Sequence, residues 1–450
     1  MKIRKVKWLD HPILGNLELD FTNSTTGQPY ESILFAGENG TGKTTILETI
    51  STFLNRGSFE YFDFIEYIAE GKVLKAVPAN GATIKDFYDM INEVGQVIQM
   101  RTNQNNHNKD VDENPLNIRF SGCVFSKARA DFKTEAIKST STKQLDESKY
   151  DKDNEDNFTS LKQLIVDLDS QDNSEFAKIA RSSSTKSANW DSFQPHSKLY
   201  RFKKAFDHFF DKLKYDKVED TGGEKSILFV KNGKSIPIDK LSTGEKQIVF
   251  RGAYLLKNLN KLNGSAVMVD EPELSMHPKW QEKILQYYKN LFTESTVQKT
   301  QLFFATHSEH VLKEALSNKN SNLVFVLNEN AGIISAKRID APMVLPSITN
   351  AETNYIAFDI VSNDYHIELY GYLQQKESKD TVKLCDDYIV SHVDYDGSKH
   401  QKSSLHPNCR TTYNTLPTYI RNAIDHPSST VTFTDGDLRT STELLIKLCQ

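Results

Sequence analysis

Cysteine is scarce: the four in this 450-residue chain, Cys123, Cys385, Cys409 and Cys449, lie far apart and form no C-x-x-C pair. That spacing excludes a zinc ribbon, a zinc hook and a disulfide framework, and leaves ordinary reduced thiols. Long hydrophobic runs are missing too. The longest, "SAVMV" and "QLFFA", have the length of strands, so no membrane span and no membrane partner are expected. The opening "MKIRKVKWLD" lacks the apolar core of a signal peptide, which points to a cytoplasmic protein. Positive charge is not in excess either, with 55 Lys and Arg against 60 Asp and Glu and a net charge of -5. A surface basic throughout is thereby excluded, and any nucleic-acid contact has to come from a local patch.

What is present is 38% hydrophobic and 26% charged residues, enough for several cores in a multi-domain chain. The first 55 residues alternate in the manner of strands: "KIRKVKWL", then "LGNLELDF" with Leu17, Leu19 and Phe21 on one face, then the buried run "SILFA". From 56 to 224 polar runs such as "RTNQNNHNKDVDENP" interrupt helical segments, which predicts a helical and flexible insertion. Within it, "SKLYRFKKAFDHFFDKLKYDK" places Leu199, Phe202, Phe206, Phe209, Phe210 and Leu213 at helical spacing. Its Lys and Arg residues read as a solvated face in preference to a docking surface. Strands and helices alternate from 225 to 345, and 346–450 is mostly helical and rich in Tyr. The expected architecture is therefore α/β, with an all-α module at the end.

Strand "SILFA" runs into Gly37-Glu38-Asn39-Gly40-Thr41-Gly42-Lys43-Thr44-Thr45, and a helical pattern follows. This is the strand-loop-helix setting in which G-x-x-x-x-G-K-T binds phosphates, because backbone N–H groups converge at a helix N-terminus. ATP and Mg²⁺ are the implied cofactors: Lys43 would bridge the β- and γ-phosphates and Thr44 would ligate the metal. The buried run "SAVMVDEPE" ends in Asp270, suited to hold hydrated Mg²⁺, and Glu271, suited to polarise the attacking water. "QLFFATHS" ends in His307, which could reach the γ-phosphate from a neighbouring strand end. "LSTGEKQ" opens a further helix with Ser242, the amide of Gly244 and Glu245, a second candidate anion site.

In their order along the chain, residues 37–45, 241–247, Asp270 with Glu271, and His307 resemble the motifs of ABC-type ATPases. The branch they look most like is shared by chromosome-maintenance and recombination ATPases and bacterial defence ATPases. "DEPELSMHP" resembles that branch's extended second carboxylate motif, and "ATHSEHVL" its switch-histidine segment. The resemblance implies a homodimer in which the signature helix of one subunit caps ATP bound to the other. One departure stands out: "IRFSGCVFSKARADF", where the family's Gln loop is sought, has no Gln, and Ser126 takes its place. No long heptads occur in the insertion, which argues against extended DNA-tethering arms.

Near the end, "TTYNTLPTYIRNAIDHP" predicts a helix stopped by Pro427, with Arg421 in its last turn and His426 at its end. Thr434 and Asp437 then stand at capping-box spacing before a final helix. The segment resembles HEPN ribonucleases through Arg421, Asn422 and His426, which implies metal-independent RNA cleavage across a dimer axis. In that setting His426 would move a proton and Arg421 would stabilise charge on the phosphorane; the alternative is that both cations cap a helix C-terminus. The combination resembles the plan of bacterial anticodon nucleases, which implies tRNA as substrate and anti-phage defence as role. Two rival expectations remain open: an ATPase sensor and scaffold that binds a separate nuclease, as in Septu-type defence, and a DNA-repair or end-processing ATPase.

Overall fold

The protein is described as a computed structural model over residues 1–83, 85–103, 113–152, 157–182, 189–294, 297–339, 344–405, 411–427 and 432–450. Much of the run "RTNQNNHNKDVDENP", expected to be a flexible loop, and Cys409 fall outside these residues. The chain forms two compact units, Met1–Arg338 and Ile339–Gln450.

Two large sheets build the first unit. The antiparallel sheet contains β1 (Lys2–Trp8), β2 (Glu18–Asp20), β4 (Phe62–Ala69), β5 (Lys72–Pro78), β6 (Tyr88–Asn92) and β7 (Val97–Thr102), in the order β2-β1-β4-β5-β6-β7. The central sheet runs β18-β17-β3-β16-β13-β8-β9, from β3 (Ser32–Gly37), β8 (Cys123–Ser126), β9 (Tyr150–Lys152), β13 (Ala266–Asp270), β16 (Gln301–Ala305), β17 (Asn322–Asn330) and β18 (Ile333–Arg338). All its pairings are parallel except β17 with β18. Every residue of β3, β13 and β16 is buried, as parallel strands covered on both faces must be. Leu19 and Phe21, together with Trp8, share one core with Ile33, Phe35, Phe53, Tyr67 and Phe303. The Phe21 ring meets those of Phe35, Phe303 and Phe325 edge-on.

Residues 56–224 are not the helical insertion expected. They supply four strands of the antiparallel sheet and two of the central one, besides the long helix Asn157–Ser182. In β4, Ile65, Tyr67 and Ala69 are buried in alternation, a period-two signal that the neighbouring polar runs obscure. The helix expected over 197–217 covers only Tyr200–Phe209. Beyond it the chain becomes β10 (Leu213–Thr221), which pairs with β11 (Glu224–Lys231), and β12 (Lys234–Pro237) completes this small sheet. Cross-strand pairing has overridden the helical spacing of Phe210 and Leu213.

The second unit is not all-α. Besides its helices it holds a two-stranded ribbon of Gln401–Leu405 and Thr412–Thr415. Thr349, Ser362, Thr381, Thr415 and Thr434 each cap a helix through the side chain, satisfying amides that have no partner within the helix. Thr434 and Asp437 form the expected capping box. Leu369, Tyr370 and Leu373 pack against Cys385, Ile389, Leu444, Leu445 and Leu448. The fully buried Asp386 ties the ribbon down by accepting from the amides of Asn414 and Thr415 and from the Thr415 hydroxyl.

The Phe303→Ala variant is expected to lose about 3–5 kcal/mol of stability by opening a cavity among the core rings. Denaturant unfolding measures it, and an unchanged midpoint would contradict this account of the core.

Candidate nucleotide site

Strand pairing brings distant residues together. Phe35 of β3 lies opposite Ala305 of β16, and Ala305 lies opposite Asp270 of β13, so three loops leave the same carboxyl edge side by side. That edge is where open α/β sheets bind ligands.

The first loop is the Gly-rich one. Glu38, Asn39 and Gly40 are exposed, Thr41 is buried with its hydroxyl on the Glu38 carbonyl at 2.8 Å, and Thr45 is half-buried. Gly42, at φ 86°, precedes the helix Lys43–Leu54; a Cβ there would meet Leu14 Cδ2 at 2.7 Å. The left-handed conformation favours glycine there, and any larger residue would also have to displace the Leu14 methyl. Lys43 Nζ donates to the carbonyls of Gly37 at 2.9 Å and Glu38 at 2.7 Å. Burial pushes its pKa down to about 8, against the attraction of Asp270, Glu271 and Glu273.

The exposed Thr44 hydroxyl donates to both carboxylate oxygens of Asp270, at 3.2 and 3.1 Å. Burial raises the Asp270 carboxyl, and this hydrogen bond opposes the rise. One hydroxyl and one carboxylate, beside a loop shaped for phosphates, match the donor set of Mg²⁺, which keeps several waters and takes few protein ligands. Thr44 and Asp270 would hold the ion, which would supply charge neutralisation at the phosphates.

Glu271 has a left-handed backbone, φ 44°, unfavourable for a residue with a Cβ. Its amide donates to the Ala305 carbonyl at 2.8 Å. Its side chain is about one-third exposed, and Oε1 lies 3.9 Å from His307 Nε2. Burial and the nearby Lys43 charge lower the His307 pKa, with Glu271 and a hydrogen bond to the Gly37 backbone pulling the other way, which favours the neutral ring.

The signature segment is self-contained. Ser242 donates from its amide and its hydroxyl to Glu245 Oε2, each at 2.9 Å, and Glu245 Oε1 meets Lys231 Nζ at 2.6 Å. Gly244 is a point of close approach: a Cβ would stand 2.7 Å from the Ser275 carbonyl oxygen. The helical turns Thr243–Lys246, π-helical Gln247–Arg251 and Gly252–Leu256 follow without a break.

Two residues not singled out from the sequence hold the site together. Arg251, 1% exposed, donates to the carbonyls of Asp270, Glu271 and Ser126 and to the Ser126 hydroxyl. Ser126, sought as the Gln-loop substitute, is thus engaged by this guanidinium behind the carboxylate loop. Glu273 is buried, and its Oε1 accepts from the Thr306 hydroxyl and the His307 amide, both at 2.8 Å. A π-helical turn is a frequent companion of functional sites, but its π-register is invisible in "EKQIVFRG".

Arg421, Asn422 and His426 belong to the second unit. The helix Leu416–Asp425 carries Arg421 one position before its last turn, and the exposed His426 is the C-cap. Arg421 pairs with Asp425 at 2.7 Å and with the Asn422 side-chain oxygen at 3.0 Å.

The Gly-rich loop, the carboxylate strand and the histidine strand between them define a P-loop ATPase. The chain belongs to the AAA_21 family, described as "AAA domain, putative AbiEii toxin, Type IV TA system", which it matches over residues 33–313. It is also similar to the "Retron Vc95 probable ATPase" of Vibrio cholerae serotype O1 biovar El Tor, 33% identical over 112 residues. That match covers 23% of this chain and 20% of the relative, so the chain spans about a fifth of that protein's length. Among solved structures it is similar to an SMC head domain from Thermotoga maritima, with TM-score 0.38 and 13% identity over 76% of this chain and 100% of that one. An Smc head domain with an extended coiled coil, bound to the C-terminal domain of ScpA derived from Pyrococcus furiosus, gives TM-score 0.40 and 10% identity over 75% and 96%.

Because Lys43 titrates near pH 8 in the free protein and bound phosphates would raise that value, nucleotide binding should take up close to one proton at pH 9 and little at pH 7. Affinity is then expected to weaken as pH rises through 8. Calorimetry in buffers of different ionisation enthalpy measures the uptake, and equal uptake at both pH values would refute it.

Proposed function

We propose that this chain hydrolyses ATP with Mg²⁺ as a homodimeric, ABC-type ATPase component of a bacterial defence system, and that its C-terminal unit passes the nucleotide state to a separate effector nuclease. The observation that carries the ATPase half is the convergence of Lys43, Thr44, Asp270, Glu271 and His307 on one sheet edge. Lys43 and the loop amides bind phosphates, Thr44 and Asp270 hold the metal, Glu271 orients the attacking water, and neutral His307 donates toward the γ-phosphate. Ser242, Gly244 and Glu245 would meet ATP held by the partner subunit.

For the output, Arg421 is engaged within its own helix by Asp425 and the Asn422 side chain, and we take the partner reading first with a ribonuclease within this chain as its rival. The pair is a partly exposed i,i+4 one, worth about 0.3–0.5 kcal/mol, so a phosphate could displace the carboxylate at little cost. The similarity to a protein named as a retron's ATPase supports an ATPase component in defence.

Lys43→Ala is expected to abolish nucleotide binding, read by equilibrium dialysis. Glu271→Gln should hold an ATP-bound dimer by light scattering while hydrolysis falls by on the order of 100-fold or more; normal turnover would show that the catalytic carboxylate lies elsewhere. Arg421→Ala and His426→Ala are expected to leave cellular toxicity intact and dependent on a neighbouring gene. Loss of toxicity and of tRNA cleavage by purified protein in both variants would move the activity into this chain as a HEPN-like nuclease.

A further inference from the structure

The DEPELSMHP segment carries a carboxylate that the ATPase reading leaves without a task. Glu273 is buried, where a carboxylate is costly unless hydrogen-bonded. Both bonds to its Oε1 come from the switch segment, the Thr306 hydroxyl and the His307 amide, and Oε2 is buried with no hydrogen-bond partner. Turns closed by Leu274 N on the Glu271 carbonyl and Met276 N on the Glu273 carbonyl hold Glu273 at a set distance from Glu271. The rest of the switch is tied elsewhere: the Ser308 hydroxyl donates to Gln281 Oε1 at 2.6 Å and caps the helix Glu309–Ser317.

One loop therefore does two things. It presents Glu271 to the site, and through Glu273 it grips the backbone of the residue whose ring faces Glu271 at 3.9 Å. The Glu273 carboxylate bonds to the residue whose placement matters for chemistry.

We infer that Glu273 is a positioning residue for ATP hydrolysis, fixing the switch backbone so that the His307 ring faces Glu271 and the γ-phosphate in one register. The inference rests on the roles given above to His307 and Glu271. Glu273 touches no substrate in this scheme and acts through His307 alone.

The test uses the full chain with Glu273→Ala and the isosteric Glu273→Gln. In Glu273→Ala kcat should fall by on the order of 10- to 100-fold, the range for a slightly misplaced catalytic group, with the KM for ATP unchanged within about twofold. Glu273→Gln, which keeps one acceptor oxygen, should fall less. A Glu273→Ala/His307→Ala double variant should be no slower than His307→Ala alone, because both changes remove the same contribution. In nucleotide-free protein labelled at histidine, the His307 resonance, assigned by its loss in His307→Asn, should move in both Glu273 variants while the other histidines hold still. A stationary His307 resonance, or losses that multiply in the double variant, would overturn the inference. The spectrum is recorded without nucleotide, so an inactive wild-type chain, which would sink the ATPase reading, is told apart from a failure of this one.

Discussion

The parallel pairing of β16 with both β3 and β13 is the constraint on which the rest of the molecule depends. It places a strand from residues 301–305 between strands ending at 37 and 270, so the loop after each opens at one edge. The Thr44–Asp270 hydrogen bonds join residues 226 positions apart. Closing so long a loop costs entropy that grows only slowly with length, and the fully buried strands "SILFAG", "AVMVD" and "QLFFA" offset it by removing apolar surface from water.

Opposite charges then hold the loop at that edge. Arg251 sits behind it on the carbonyls of Asp270 and Glu271, and Glu273 reaches from it to the amide of His307. Glu271, between these anchors, has a backbone that a free peptide would rarely adopt. Such strain persists only when the surroundings over-determine it, and here the hydrogen bond from the Glu271 amide to the Ala305 carbonyl and the Arg251 contact do so. Farther along the same loop, Ser275 stands so near Gly244 that no side chain fits between them, which brings the signature segment against the carboxylate loop.

Legibility followed the range of each interaction. Local patterns were readable: Leu19 and Phe21 buried on one face, the Gly-rich turn before Lys43, the Thr434–Asp437 cap. The strands β4 and β5 also left a period-two trace, but the polar runs nearby drew the reading toward loops. Residues 213–221 became a strand because β11 was there to pair with, which spacing within one segment cannot reveal. The same holds for the ribbon before Leu416, anchored by Asp386 from another helix, and for Arg251, an unremarked basic residue until its acceptors are known. At Arg421 the partner was legible locally, since Asp425 stands four positions away on the same helix face.

The sequence alone determined the chemistry available and its order along the chain: a phosphate loop, a cap-forming signature segment, a strand-end carboxylate pair and a histidine after a buried strand. These depend on residue types at short spacing, and short-range geometry is set by the backbone itself. Only the tertiary structure decided which of them meet, because strand order and register come from pairing partners far outside any one local segment. It also decided that Glu273, two positions from Glu271, turns its carboxylate inward to the backbone of His307, a direction set by burial and one available amide.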